Sequence, residues 1–200
     1  MEKNVVILEL KELLFDKNLQ KQILPFFNTF NSGGLDDDIQ KFLKKYALAY
    51  ERLEISRTTL IFNEDRTELL GYFTLGLNTL YFSKKVKGIA EFKKIESAYP
   101  GIDLFKNNSR PVYKLFMIGK NFKTKSNNDG FMDYCFNDLI WERICICNSF
   151  VGSNLMYLDC ENNKTLINEY NKHGFEIFQE YNYKDENNEP VKMVRMIAKI

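Results

Sequence analysis

The sequence predicts an α/β fold, in which a twisted mixed sheet carries helices on both faces and forms one domain over residues 1–200. Three observations support this prediction. Residues 154–178 read as strand, polar turn, helix and strand. Residues 36–54 carry apolar side chains at helical spacing, and several other runs have the composition of strands. With 200 residues, 44% of them apolar, the chain is long enough to bury a core.

Composition excludes several classes of protein. No apolar run approaches the length of a membrane span, and the N-terminus lacks a signal-peptide pattern, so we expect a cytoplasmic protein without membrane contact. The single histidine argues against a histidine-based metal site, and we expect no metal. The cysteines have no CxxC spacing and lie among apolar residues, which predicts free buried thiols at Cys135, Cys145, Cys147 and Cys160.

The first 82 residues contain five predicted elements, separated by polar turns. They are a strand over Val5–Leu10, helices around Asp16–Phe30 and Asp36–Glu54, and strands over Arg57–Phe62 and Leu69–Phe82. Six polar residues, 63–68, separate the last two strands, which predicts a hairpin. The long second strand contains Gly76, and we expect a bend or bulge near it.

The second half of the chain begins with an insert, 83–110, that reads as a lysine-rich helix followed by a loop. A strand, Pro111–Ile118, then leads through a polar loop into a helix that starts near Asp129, and its largely apolar composition predicts that this helix is well buried. A final hairpin is predicted from Ile177–Tyr183 and Val191–Ile200.

Positive charge is concentrated in the middle of the chain. Between Lys84 and Lys125 there are eleven Lys/Arg and three Asp/Glu, a local balance of +8, whereas the whole chain carries +1. A basic segment of this kind binds a polyphosphate cofactor or a nucleic acid, or forms a solvated lysine-rich surface. These alternatives stay open from charge alone.

The run YLDCENN…LINEYNKHGFEIF, residues 157–178, resembles the last conserved segment of the GNAT superfamily of acyl-CoA-dependent N-acetyltransferases. In that family a strand ends in a polar turn, and the following helix carries a tyrosine four residues before Gly-Phe. Tyr170, Gly174 and Phe175 occupy those positions here. The segments LDDDIQKFLKKYALAYERLEISRTTLIF and LFMIGKNFK resemble toxin-like bacterial members. The resemblance implies one GNAT-like domain and is strongest over residues 111–178.

The family resemblance implies that acetyl-CoA is the cosubstrate and that its pyrophosphate meets backbone N–H groups at the start of the helix near residue 130. The family loop, Gln/Arg-x-x-Gly-x-Gly/Ala, is replaced here by Lys125–Gly130 with one glycine. Its asparagines are expected to tolerate left-handed conformations, and its Asp129 must turn away from phosphate. The implied cofactor-binding residues are Met117, Ile118, Gly119, Lys123, Lys125, Asn127, Asn128, Asp129, Gly130, Phe131 and Asn163.

The implied reaction is transfer of the acetyl group to a primary amine, with Tyr170 protonating the leaving thiolate. The alternative is that Tyr170 only packs on its helix. Tyr81 and Phe82 are candidates for the acceptor pocket, against ordinary core packing. Asp159 and Glu161 are candidate bases, although turn or cap roles are more typical of such positions.

The resemblance implies partners as well as chemistry. The acceptor is a small-molecule amine or, as in toxin-type relatives, an aminoacyl-tRNA, and the chain has an antitoxin or a second copy of itself in a homodimer as candidate protein partners. A non-catalytic GNAT-like binding module that has lost acetyl-CoA turnover is the alternative function, because the loop has one glycine.

Overall fold

The computed structural model describes residues 4–34, 37–81, 109–126, 128–184 and 188–200. These residues belong to two compact units. Unit 1 comprises Met1–Gly76 and Leu115–Phe150, and unit 2 comprises Leu77–Lys114 and Val151–Ile200. Phe82, Asn127 and nearly all of the predicted insert lie outside the described residues, and only Ser109 and Arg110 of that insert are described.

Seven strands form one mixed sheet, which confirms the predicted fold class. Their order is β1-β2-β3-β4-β5-β7-β6, and β1–β2, β2–β3, β5–β7 and β6–β7 are antiparallel pairs. The strands are β1 (Val5–Glu9), β2 (Ser56–Asn63), β3 (Leu69–Tyr81), β4 (Ser109–Lys120), β5 (Leu155–Glu161), β6 (Glu176–Lys184) and β7 (Pro190–Lys199).

Five helices accompany the described strands. Helix α1 is Leu10–Leu13, α2 is Lys17–Thr29 and α5 is Lys164–Lys172. Two longer helices have π-helical middle segments: α3 (37–52) is π-helical over Phe42–Tyr46, and α4 (131–150) is π-helical over Cys135–Ile140. The sequence patterns predict regular helices at both places. Each π segment contributes buried residues to the core, Phe42 with Leu43 and Cys135 with Phe136.

Alternation along β3 places helices on both faces of the sheet in unit 1. Successive side chains of a strand point to opposite faces. A Cβ on Gly71 would lie 2.3 Å from the Phe131 ring of α4, whereas the hydroxyl of the next residue, Tyr72, donates to the carbonyl of Ile39 on α3 at 2.5 Å. The core on the α2–α3 side contains Leu8, Leu10, Leu13, Ile23, Phe27, Phe30, Phe42, Leu43, Ala47, Leu60, Phe62, Leu69 and Tyr72.

Unit 2 is an antiparallel arrangement of β5, β7 and β6 on which α5 packs. One sheet face carries the buried cluster of Leu80, Val112, Leu155, Tyr157, Phe178 and Ile197. The predicted final hairpin is confirmed as β6 and β7, which pair from Glu176 with Ile197 to Lys184 with Pro190.

Two sequence predictions need correction, and a third is tested only in part. The β2–β3 register is regular from Gly76 to Gly71 and shifts at Leu70, so the bulge in this pairing lies at Leu70, and a bend at Gly76, the last paired residue, stays a prediction. Cys135 and Cys160 are buried and free, but Cys145 and Cys147 are free and exposed. The C-terminal part of α4 is exposed, with Ile146 55% and Phe150 85% accessible, although its apolar composition predicts burial. Within the part of the chain that is described, no helix has the length and apolar character that crossing a membrane requires.

Candidate functional site

The end of β4 is irregular at the place where the cofactor is predicted to bind. The Phe116 ring lies 6.4 Å from that of Tyr50 and would be 2.8 Å from a Cβ on Gly76. Its neighbour Met117 packs against the α2–α3 core. In a regular strand these successive side chains would point to opposite faces, so β4 departs from regular pleating between them.

Gly119 is required by close packing. A Cβ at this position would lie 2.4 Å from Cγ2 of Ile39 and 3.2 Å from Phe30, both on the α2–α3 side. The absence of a side chain at Gly119 therefore lets α3 approach the end of β4. Gly119 is the last residue of the predicted main-chain site, so this packing holds that site against α3.

The loop that follows β4 is organised around the buried side chain of Asn121. Its amide group donates to the carbonyl of Leu69 at 2.8 Å, and its oxygen accepts from the N–H groups of Asn31 at 3.2 Å and Lys123 at 3.1 Å. The Asn121 N–H donates to the carbonyl of Leu70 at 2.8 Å. One amide thus joins β3, the end of α2 and the start of the loop.

A carboxylate from the β2–β3 turn binds the middle of this loop. Glu68 accepts hydrogen bonds from the N–H groups of Lys125 at 2.9 Å and Ser126 at 2.8 Å, and from the Ser126 hydroxyl at 2.6 Å. The Lys125 N–H and the Ser126 hydroxyl hold the pKa of Glu68 below its ordinary value. Two backbone N–H groups of the predicted phosphate loop are therefore already bound to an anion of the protein itself.

Asn128 replaces a family glycine but does not use a glycine-like backbone. Its amide donates to the carbonyl of Asn121 at 2.7 Å and more weakly to Leu70 at 3.4 Å. Among the described non-glycine residues, positive φ occurs at Glu54, Arg66 and Asn188, so Asn128 does not use the left-handed conformation that an asparagine is expected to tolerate. The side chain of Asn128, 7% exposed, fastens the loop from inside.

Helix α4 starts without a side-chain cap. Its N-cap residue is Gly130, with φ of 70° and ψ of 18°, and a glycine offers no side-chain acceptor to the first-turn N–H groups. Asp129 turns its carboxylate to Lys120, at 3.3 Å from the ammonium nitrogen. The carboxylate of Asp129 is therefore paired with a cation, which reduces its repulsion of a phosphate at this loop. Phe131, 1% exposed, fixes the helix start against Gly71.

In unit 2, Asn163 begins α5 as its N-cap. The side-chain oxygen of Asn163 accepts from the N–H of Thr165 at 2.8 Å, and its carbonyl accepts from Ile167 at 2.9 Å. The Asn163 side chain is exposed and serves the helix itself. Its predicted contact with the cofactor stays a prediction beside this capping role.

The end of α5 has the geometry that the Tyr-x-x-x-Gly-Phe pattern predicts. Gly174 has φ of 86°, and the carbonyl of Tyr170 accepts from the N–H groups of His173 at 3.0 Å and Phe175 at 3.2 Å. The rings of Tyr170 and Phe175 meet edge to face at 6.2 Å. Phe175 is buried and Tyr170 is half-buried, so packing holds the ring of Tyr170. Tyr81, by contrast, is 70% exposed at the end of β3, which excludes core packing.

The candidate base Asp159 is part of an ion-pair network on one sheet face of unit 2. Arg195 donates to it at 2.7 Å, and the ammonium of Lys114 lies 3.2 Å away. Burial raises the pKa of Asp159, but the hydrogen bond from Arg195 and the charge of Lys114 outweigh it, and the pKa is lowered. A carboxylate held in this way is a weak base. Burial raises the pKa of the Cys160 thiol to about 11, which disfavours it as a nucleophile.

The described residues predicted to bind the cofactor at the end of β4 and in the following loop lie in unit 1. Tyr170, Asn163 and Tyr81 lie in unit 2. Sequence reasoning missed the partners that hold them, above all Asn121, Glu68 and Arg195. Glu68 closes the polar turn between two predicted strands, and β4 is the next strand along the described chain. A prediction that β3 and β4 are neighbours in the sheet would therefore have placed the carboxylate of Glu68 beside the loop after β4.

No family model and no curated protein matches this chain, whereas solved structures do. A structure described as a bacterial toxin has a TM-score of 0.63 and 18% identity, over 98% of this chain and 91% of that one. AtaT complexed with acetyl-methionyl-tRNAfMet has a TM-score of 0.60 and 14% identity, over 94% of both chains. A tyrosine-to-phenylalanine mutant of the toxin AtaT, bound to the C-terminus of the antitoxin AtaR and acetyl-CoA, has a TM-score of 0.56 and 15% identity, over 98% and 94%.

These likenesses extend over nearly the whole chain at low identity, and they establish the fold. The predicted α/β fold, a mixed sheet with flanking helices, is confirmed, and two of these solved structures are described as toxins.

Proposed function

We propose that the chain is an N-acetyltransferase that moves an acetyl group from acetyl-CoA to a primary amine. The observation that carries the proposal is the start of α4: a 20-residue helix, 131–150, whose N-cap is a glycine without a side-chain cap, at the end of the loop that follows β4. Lys120, Lys123 and Lys125 precede it. A helix N-terminus beside cations attracts a pyrophosphate through its N–H groups and its dipole.

The shared fold adds support, because a structure with the same fold is described as bound to acetyl-CoA. Acetyl-CoA supplies an activated thioester. In the proposed reaction, main-chain N–H groups near Met117–Gly119 polarise the thioester carbonyl, and the amine forms the new C–N bond as the C–S bond breaks. The Tyr170 hydroxyl gives its proton to the sulfur, and the proton lost by the amine passes to water, because Asp159 is a weak base.

The Tyr170 role is tested by the rate of acetyl transfer. With Tyr170→Phe, the ring and its contact with Phe175 remain and only the hydroxyl is lost, so we expect kcat to fall roughly a hundredfold, the low end for general acid catalysis, with little change in the KM for acetyl-CoA. Tyr183→Phe is the matched control, because Tyr183 is an exposed tyrosine of β6. Equal rates for the two variants would leave Tyr170 a packing residue.

For the acceptor we propose an aminoacyl-tRNA. The support is the AtaT structure with acetyl-methionyl-tRNAfMet and the +8 balance between Lys84 and Lys125. Tyr81, whose ring is 70% exposed, is the candidate for stacking on the aminoacyl end, and Phe82 follows it in the chain. Radiolabelled acetyl-CoA and a mixture of charged and uncharged tRNAs test this. Label is expected only on charged tRNA, and tRNA affinity should fall with added salt.

An antitoxin is the proposed protein partner, supported by the AtaT structure bound to part of AtaR. A homodimer stays a prediction. The alternative function, a non-catalytic binding module, gains one specific observation: Glu68 already binds two backbone N–H groups of the phosphate loop. The same labelling experiment discriminates these functions, because a binding module would transfer no label to any amine.

A further inference from the structure

The contact between Glu68 and the loop after β4 combines three donors on one carboxylate. One oxygen accepts from the Lys125 N–H, and the other accepts from the Ser126 N–H and the Ser126 hydroxyl. Successive backbone N–H groups that converge on one anion form the type of concavity that binds phosphate in many proteins. Here the anion belongs to the neighbouring β2–β3 turn of unit 1.

The turn that carries Glu68 is itself held in place. The side-chain oxygen of Asn63 accepts from the N–H groups of Thr67 and Glu68, each at 2.9 Å. Its amide donates to the Thr67 hydroxyl at 2.9 Å. Asn63 is 8% exposed, so this bracing is largely inside the protein. Glu68 therefore reaches the loop from a fixed position rather than from a freely moving surface turn.

The rest of the loop is fixed at both ends and lacks glycines in between. Asn121 holds its start, and Asn128 ties its end to the carbonyl of Asn121. Glu68 supplies the hold between these two points. Without it, the N–H groups of Lys125 and Ser126 would lose their only acceptor among the contacts that the described residues show, and the segment before Gly130 would sample other conformations.

We propose that Glu68 is a positioning residue for the cofactor: it holds the Lys125–Ser126 segment so that the pyrophosphate is received by the N–H groups that follow Gly130. This inference rests on the proposed function. It also gives a reason why the loop Lys125–Gly130 has one glycine where the GNAT pattern has two. A loop whose first N–H groups bind a protein carboxylate needs no glycine for close approach of a phosphate there. Lys125 keeps its side chain available as a counter-charge next to the anchored backbone.

Glu68→Gln tests the proposal at constant size. A glutamine has one acceptor oxygen, and its NH₂ group would face the N–H donors of the loop. Calorimetry should show the dissociation constant of acetyl-CoA rising about tenfold, and amide exchange at Lys125 and Ser126 should accelerate by a similar factor, as expected for the loss of hydrogen bonds to a charged group. Glu64→Gln is the matched control, since Glu64 is an exposed residue of the same turn that bonds to Asn4.

A second ligand separates positioning from general loosening. S-acetylpantetheine lacks the pyrophosphate, and its binding, followed by ligand-observed NMR, is expected to be the same in Glu68→Gln and in the unchanged protein. If Glu68→Gln lowers the affinity for both ligands equally, or leaves the acetyl-CoA affinity unchanged, the proposal is overturned while the proposed function stands. A tighter acetyl-CoA complex overturns it too, since Glu68 would then compete with the phosphate. If the unchanged protein binds no acetyl-CoA, the proposed function itself fails.

Discussion

The loop after β4 in unit 1 and the end of α5 in unit 2 are built by different means. The loop is held by side chains distant in sequence: Glu68 and the carbonyl of Leu69 reach it from the β2–β3 region, and Asn121 connects it to Asn31. The end of α5 is held by its own residues, through the N–H groups of His173 and Phe175 on the carbonyl of Tyr170. A local pattern therefore suffices for α5, whereas the loop needs the tertiary structure.

Unit 2 also contains a network of residues distant in sequence, and this network offers the largest expected effect. Asp159→Asn removes the charge between Arg195 and Lys114, whose side chains are only 24% and 19% exposed. We expect the free energy of unfolding at pH 7 to fall by about 3 kcal/mol, because two partly buried cations lose their partner. Chemical denaturation measures this. Glu180→Gln, an exposed change on β6, is the control and should stay within about 0.5 kcal/mol.

The sign of the pH dependence follows from the lowered pKa of Asp159. A depressed folded-state pKa means that the ion pair stabilises the protein above the usual value of 3.8, and that this stabilisation is lost as the pH falls through the lowered pKa. Denaturation curves of the unchanged protein and of Asp159→Asn should therefore converge in acid. A difference that stays constant down to the lowest pH tested would contradict the ion-pair account.

Asn121→Asp tests the distant contacts of the loop. The substitution keeps the oxygen that Asn31 and Lys123 use and replaces the group that donates to the carbonyl of Leu69. Two oxygens then face each other in a buried position, and we expect a loss of about 2–3 kcal/mol in unfolding free energy. Asn162→Asp, at an exposed position before α5, is the control. A loss no greater than that of the control would make the Asn121 contacts unimportant.

Gly119→Ala tests close packing beside the loop. The added Cβ would meet Cγ2 of Ile39 at 2.4 Å, and the branched Ile39 side chain has little freedom to move away. We expect a loss of about 1–2 kcal/mol in thermal or chemical unfolding. Gly152→Ala is the matched control, because a Cβ there has no neighbour within 4 Å. Equal unfolding free energies for Gly119→Ala and Gly152→Ala would contradict this, because α3 would then have to move away from β4 at little cost.

Asn163→Ala tests the local construction of α5 and has the smallest expected effect. It removes the side-chain acceptor of the Thr165 N–H, which costs about 1 kcal/mol at a typical N-cap. Asn162→Ala is the control, and circular dichroism with thermal melting measures both. If Asn163→Ala also weakens acetyl-CoA binding beyond this loss of stability, Asn163 contacts the cofactor as the sequence predicts.

The same contrast explains what the sequence could and could not predict. Asn163 as a cap, Gly174 in a left-handed conformation and the β6–β7 hairpin follow from short patterns, because neighbouring residues supply the partners. The inward-facing Asn128 and the anchor at Glu68 depend on which strands are neighbours. The register shift at Leu70 and the π segments of α3 and α4 depend on packing, which periodicity alone does not encode.

Binding of acetyl-CoA tests the central claim most directly. Acetyl-CoA is titrated calorimetrically into the unchanged protein and into Tyr170→Phe. The account predicts binding to both with a dissociation constant on the order of micromolar, because the proposed phosphate-binding residues lie in unit 1 and the proposed role of the Tyr170 hydroxyl is confined to the reaction. No detectable heat for the unchanged protein, confirmed by equilibrium dialysis with labelled acetyl-CoA, would contradict the acetyltransferase account and favour a binding module that keeps the fold without the cofactor.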